Sequence, residues 1–127
     1  MNPDLKKVLA KIRTAQLAEF DGVDAKLDNP NESGLFGTTP LHIVAGWGDL
    51  ESARILLDAG AEIDVPAEED CTPLHEAIMR GHVEVTRLLI SRGADLQRKC
   101  SFGNALELAK SGDNEAIKRL VTESASQ

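Results

Sequence analysis

Apolar residues in this chain come in short clusters at helical spacing, and the clusters come in pairs. Leu41, Val44 and Ala45 form one stripe; Leu50, Ala53, Leu56 and Leu57 form a second. Gly48-Asp49 breaks the chain between them. The same series returns as Leu74, Ala77 and Ile78, then Gly81-His82, then Val83, Thr86, Leu89 and Ile90. Spacings of three and four residues place each set on one helix face. The pattern predicts two helices joined by a tight turn, twice over. Thr39 and Thr72 stand where a side-chain oxygen can accept from the unpaired amides of a helix start. Pro40 and Pro73 follow at the first helical position, where a missing N–H costs nothing. Gly60 and Gly93 suit the left-handed residue that ends a helix. The stretch after each has no helical period and is long enough for a projecting loop or hairpin.

An earlier stripe opens the chain. Leu5, Val8, Leu9 and Ile12 share a face that Gln16 or Leu17 extends, and Lys6, Lys7, Lys11 and Arg13 lie off it. Asn2-Pro3-Asp4 reads as a helix start. The expected role is a capping helix over the core; a basic helix lying on a membrane surface is the rival. Asp21 to Gly34 is turn-rich and reads as a loop. Its Gly22-Val23-Asp24 echoes Gly93-Ala94-Asp95, as the loop of a truncated first repeat would.

The paired stripes belong to a longer repeat. Thr39-Pro40-Leu41-His42 recurs as Thr72-Pro73-Leu74-His75, 33 residues later. The match runs from Gly37 to Leu57 and from Asp70 to Ile90, and both copies reach a Gly-Ala step, Gly60-Ala61 and Gly93-Ala94. A weaker third copy runs from Gly103 to Val121. Its Leu106, Leu108, Ala109 and Gly112 align if one residue is dropped before Leu106 and one before Gly112. Chains of this kind stack copies of one unit on a shared core and offer an extended surface.

The TPLH tetrapeptide, the Gly-Asp or Gly-His turn, the run of leucines and the Gly-Ala step resemble the ankyrin repeat. The resemblance covers about Gly34 to Thr122, and short bacterial stand-alone ankyrin proteins are similar. It implies an all-α repeat fold, a solenoid of helix-turn-helix units with projecting loops and an N-terminal capping helix. The units are then 1–33, capping helix and loop; 34–66 and 67–99, two full repeats; 100–122, a degenerate C-terminal capping repeat; and 123–127, a disordered tail. The third copy lacks Thr-Pro and histidine, which leaves its first helix start open, and the segment before Gly34 lacks the motif.

Composition narrows the class. Trp47 and three Phe are the aromatics and Tyr is absent, so the core is aliphatic and alanine-rich. The net charge of -7 is unevenly spread. Residues 19–70 carry thirteen acids against two bases, whereas residues 1–18 are basic and 71–127 nearly balanced. Glu62, Asp64, Glu68, Glu69 and Asp70 are the densest run, between the two strong copies. Such a surface repels nucleic acid and steers a basic partner; a solvated face that aids solubility is the blander alternative. The N-terminus has no continuous apolar run of a secretion signal, and no stretch approaches membrane-spanning length. Cys71 and Cys100 are too few for a disulfide framework and read as free thiols of a cytoplasmic protein.

Three histidines raise the question of catalysis or metal binding. His42 and His75 recur at one repeat position and His82 lies in a turn, so a structural role repeated for a structural reason is expected. No HExxH, CxxC or phosphate loop is present. Cys71 stands four residues before His75, but nothing in the sequence orients that imidazole as a base. The expectation is no enzyme, no cofactor and no metal.

The ankyrin resemblance implies contact through loop tips and the exposed side of each first helix. Mapped residue by residue, the loop positions are Leu35, Phe36 and Thr38; Glu68, Glu69, Asp70 and Cys71; and Ser101, Phe102 and Asn104. The helix positions are Gly46-Trp47, Met79-Arg80 and Lys110-Ser111. The motif does not require the bulky Phe36, Trp47, Met79 and Phe102 there. A hot-spot surface would place aromatics so; packing of Trp47 and Phe36 on neighbouring units is the alternative. The expectation is a monomer that binds a protein with a basic patch, with no nucleic acid and no membrane partner. Neutralisation of a toxin by its immunity protein is one use of such a module. A scaffold or regulator of a cytosolic protein, or a secreted host-directed effector, is another.

Overall fold

The computed structural model describes residues 2–15 and 29–126. Seven helices are found among the described residues: α1 (Pro3–Thr14), α2 (Pro40–Trp47), α3 (Leu50–Asp58), α4 (Pro73–Met79), α5 (Val83–Ser91), α6 (Ala105–Ser111) and α7 (Glu115–Ala125). They stack in two layers. The first helix of each unit builds one layer, α2 on α4 on α6; the second builds the other, with α1 on α3, α3 on α5 and α5 on α7. The all-α repeat solenoid that the resemblance implies is the fold observed.

Local chemistry sets each boundary. Asn2 caps α1 by accepting from the Asp4 amide at 2.8 Å, with Pro3 next. Leu5, Val8, Leu9 and Ile12 turn that helix into the core. Gln16, Leu17 and residues 21–28 lie outside the described residues. Thr39 and Thr72 cap α2 and α4 in extended backbone with proline following. Gly48 and Gly81 take φ of 74° and 78° to turn the chain into α3 and α5. Gly60 and Gly93 are left-handed at the ends of those helices, as the repeat requires. The degenerate unit differs: Gly112 is extended, with φ -90° and ψ 176°. Residues 123–125, expected to lie in a disordered tail, continue α7 as far as Ala125.

Each unit projects a finger whose base is closed by backbone hydrogen bonding. Gly34 N–H donates to the Thr38 carbonyl at 2.7 Å and Ala67 N–H to the Cys71 carbonyl at 2.9 Å. In the third finger Cys100 N–H donates to the Gly103 carbonyl at 3.0 Å, one residue short of the other two closures. The residue dropped before Leu106 is therefore lost from the finger. Side chains also tie loop to loop. The Asp64 carboxylate accepts from the Asp95 amide at 3.1 Å. Asn31, one period earlier, accepts from the Glu62 amide at 2.7 Å and donates to the Gly60 carbonyl at 3.0 Å. The repeat period thus reaches back beyond Gly34, into a segment without the motif.

Leu41, Leu56, Leu74, Leu89 and Ile117 are completely covered and run through the stack between the layers. Burying each such side chain contributes about 1.5–3 kcal/mol. Thr86 is buried among them and satisfied, its hydroxyl donating to the His82 carbonyl at 2.8 Å.

Candidate functional site

The fingers and the first-helix layer share one face, and imidazoles hold its parts in place. His42 Nδ1 accepts from the Thr39 amide at 3.1 Å, which completes the cap of α2. Its Nε2–H donates to the Cys71 carbonyl of the next unit at 2.9 Å. His75 repeats the cap, with Nδ1 on the Thr72 amide at 2.9 Å, but its Nε2–H meets a different repeat position, the Arg98 carbonyl, at 3.0 Å. An accepting Nδ1 fixes the neutral tautomer with its proton on Nε2. Burial penalises the cation and holds both histidines below their ordinary pKa, against the hydrogen bonds to the backbone. Each ring therefore has both nitrogens engaged, and His42 fastens its helix start to the following finger. His75 has no ring nitrogen left to activate Cys71. That thiol is buried and pushed up to about 12 by its burial, then by the Cys100 thiol beside it.

A second set of ties joins successive turns. Asp49 caps α3 through the Ser52 amide at 3.1 Å and binds the Lys11 ammonium of α1. Burial pushes the Asp49 carboxyl up, but Lys11 and Ser52 together outweigh it and hold it below its ordinary range. His82, at the same repeat position, reaches back to the Gly46 carbonyl at 2.8 Å. Asn114 caps α7 and reaches the Gly81 carbonyl only at 3.4 Å.

On this frame the face presents large apolar side chains. Phe36 is 67% exposed, Phe102 59%, Met79 41% and Trp47 39%. Trp47 is thus half open: the Lys11 ammonium lies 5.8 Å from the centre of its ring. A cleft of about 370 Å³ opens between α2 and α4, walled by Ile43, Trp47, Ala67, Glu68, Glu76 and Arg80, with Thr38, His42 and Gly46 behind. Arg80 Nε donates to Glu76 at 3.3 Å across one helical turn. A second cleft of about 240 Å³ lies between α4 and α6, where Ile78, Met79, Leu108, Ala109 and Ile117 supply apolar walls.

Charge is distributed unequally over the described residues. Asp49, Glu51, Asp58, Glu76, Glu84 and Glu115 each have a basic partner. Glu68, Glu69 and Asp70 are exposed and make no ion pair among the described residues. Their finger tip is also strained, because Glu69 and Asp70 both have left-handed backbone, with φ of 60° and 61°. The equivalent pair in the preceding finger is Phe36-Gly37, at 61° and 79°.

The structure therefore brings Phe36, Trp47, Glu68, Glu69, Asp70, Met79, Arg80 and Phe102 to the surface. It turns others inward. Thr38 is buried behind the cleft and Cys71 lies in the core, because each closes its finger and carries the chain into the cap of the following helix. Asn104 is a helix cap: its side chain accepts from the Glu107 amide at 3.0 Å, and Glu107 returns a bond to the Asn104 amide at 3.2 Å. The side chain of Leu35 lies outside the described residues. Ile43 and Glu76, one turn ahead of Trp47 and Arg80, complete the cleft and are passed over by motif mapping. Their four-residue spacing from the mapped positions is the signal that could have found them.

Stacked helix pairs, joined unit to unit by imidazoles and presenting fingers and first helices on one face, define a repeat scaffold that displays a surface. The family model described as ankyrin repeats in three copies matches residues 11–100, and the chain belongs to the ankyrin-repeat family. Ankyrin repeats are protein–protein interaction modules. The match begins inside α1, ahead of the first TPLH, in keeping with the Asn31 tie. No curated protein matches the chain significantly. Among the described residues, no helix is long and apolar enough to cross a membrane.

Proposed function

We propose that this chain is a non-catalytic binding module whose partner is a protein with a basic patch. The partner docks on the inner face of the repeat stack, across the finger tips and the ends of α2 and α4. One observation carries the reading: Phe36, Trp47 and Met79 stand exposed on the same face as three carboxylates that make no ion pair among the described residues. Apolar anchors ringed by uncompensated charge suit a partner that brings cations to meet them. Glu68, Glu69 and Asp70 steer the approach, and Trp47, Phe36, Met79 and Arg80 form the contact.

The test is capture of partners from the native organism with the wild type and with Trp47→Ala, side by side. Truncation of Trp47 weakens binding of the captured protein about tenfold or more, as at interface hot spots. It costs thermal stability far less than binding, since Trp47 is 39% exposed. Equal loss of fold and of binding sinks the reading. Masking of a basic toxin by an immunity protein and regulation of a cytosolic protein use the surface in the same way. A toxin reading frame beside the gene marks the first, and an enzyme or transcription-factor gene the second.

A further inference from the structure

We propose that the cleft between α2 and α4 receives one arginine side chain of the partner protein. The inference rests on the inner-face reading above and names the chemistry of its central contact. The cleft has two kinds of wall. Ile43 and Trp47 give it an apolar and aromatic side, and Glu68 and Glu76 give it carboxylates. Glu76 is already met by Arg80, but Glu68 makes no ion pair among the described residues, and Glu69 and Asp70 follow it along the finger. The cleft and its rim are therefore net negative.

Three classes of occupant can be weighed against that wall. An acidic side chain would bring a like charge to Glu68. A purely apolar one would strip water from the Glu68 carboxylate and give it no partner, which is costly. A basic side chain matches both walls, its stem lying along Ile43 and its head meeting Glu68. Between the two bases the aromatic wall decides. A planar guanidinium stacks flat on an indole and donates a fork of N–H groups to a carboxylate, whereas an ammonium is a strongly hydrated point charge. One side of the Trp47 ring already holds a cation, Lys11, so the indole is placed as a cation platform.

The experiment is a titration of the isotope-labelled full chain, followed by amide and indole NMR signals. The probe is the blocked tripeptide Gly-Arg-Gly; matched peptides carry citrulline or lysine in place of arginine. Saturable shifts are expected at the Trp47 indole N–H, Gly46 and Glu68. Citrulline, which keeps the shape and loses the charge, binds about tenfold more weakly, as loss of one charge-assisted pair implies. Glu68→Gln, at an exposed site that leaves the melting temperature unchanged, brings the arginine peptide down to the citrulline level. Citrulline binding as well as arginine, lysine binding as tightly as arginine, or shifts confined to the Met79 cleft would each overturn the assignment. The partner capture above separates this failure from that of the broader reading. If capture depends on Trp47 while the arginine shifts are absent, the inner-face function stands and this cleft assignment falls.

Discussion

The two internal caps and the terminal one solve the same local problem with different residues. At α2 and α4 a histidine completes the cap; the second nitrogen of His42 crosses to the Cys71 carbonyl of the next unit, and that of His75 reaches the Arg98 carbonyl near the end of its own. At α6 Glu107 completes the cap with Asn104, and its carboxylate turns back on its own unit. Glutamate performs the local half of the task as well as an imidazole does. It lacks a donor for a carbonyl in a following unit. His42 is thus explained by the neighbour it holds as much as by the helix it starts.

That contrast can be broken at its centre. His42→Ala removes a cap partner and takes one donor from the buried Cys71 carbonyl; unfolding in urea should show a loss of about 3 kcal/mol. Glu107→Ala removes only a surface cap and should lose about 1 kcal/mol. Equal losses would mean that the bond between units carries no weight.

The turn ties sharpen the comparison further. A methyl group on Gly48 would come within 2.5 Å of His82 Nδ1, whereas one on Gly81 would meet only Asn114 Nδ2 at 3.6 Å. Both glycines are left-handed, so alanine strains either by about 1 kcal/mol. Gly48→Ala should therefore be worse by a further 1 kcal/mol or about that, through the clash. In a His82→Ala background the difference between the two glycine variants should close, as a thermal double-mutant cycle would show.

Acid tests the same imidazoles without mutation. His42 and His75 fold with pKa values below the ordinary 6.5 because burial disfavours the cation. Once pH falls below 6.5 the unfolded chain binds more protons than the folded one. Stability is therefore full above that pH and declines as pH falls toward the folded values. Urea midpoints should drop between pH 7 and pH 5, and the slope should flatten in His42→Gln/His75→Gln. An unchanged slope in the double variant would assign the acid sensitivity elsewhere.

The smallest effect belongs to the strained finger. The position of Asp70 is Gly37 in the preceding finger. Asp70→Gly relieves left-handed strain and should raise stability by about 0.5 kcal/mol in a melting experiment. If partner binding weakens in the same variant, the carboxylate is kept there for contact at the expense of the backbone.

What the sequence revealed was whatever a single unit decides alone. The threonine caps, the prolines after them, the left-handed Gly60 and Gly93 and the stripes of α1 to α5 are all written within a dozen residues. What stayed hidden depends on the neighbouring unit. Asn31 resembles any loop asparagine until Glu62 is brought beside it. Cys71 and Thr38 look like exposed loop residues, yet the fold buries both at the base of their fingers. The exposed bulky residues were legible for a different reason. Phe36, Trp47, Met79 and Phe102 break the repeat, and a position that breaks a repeat is not needed by the stack.

His82 leaves one mechanical consequence. Its ring spans from the second unit to the carbonyl of Gly46, the residue that precedes Trp47 and lines the cleft. It acts as a strut between adjacent rungs, so the gap into which a partner side chain would insert and the pitch of the ladder are one variable. A side chain that wedges α2 and α4 apart has to tilt every rung beyond it. Occupancy of the cleft would therefore be felt at α7, at the far end of the chain, as a change in curvature.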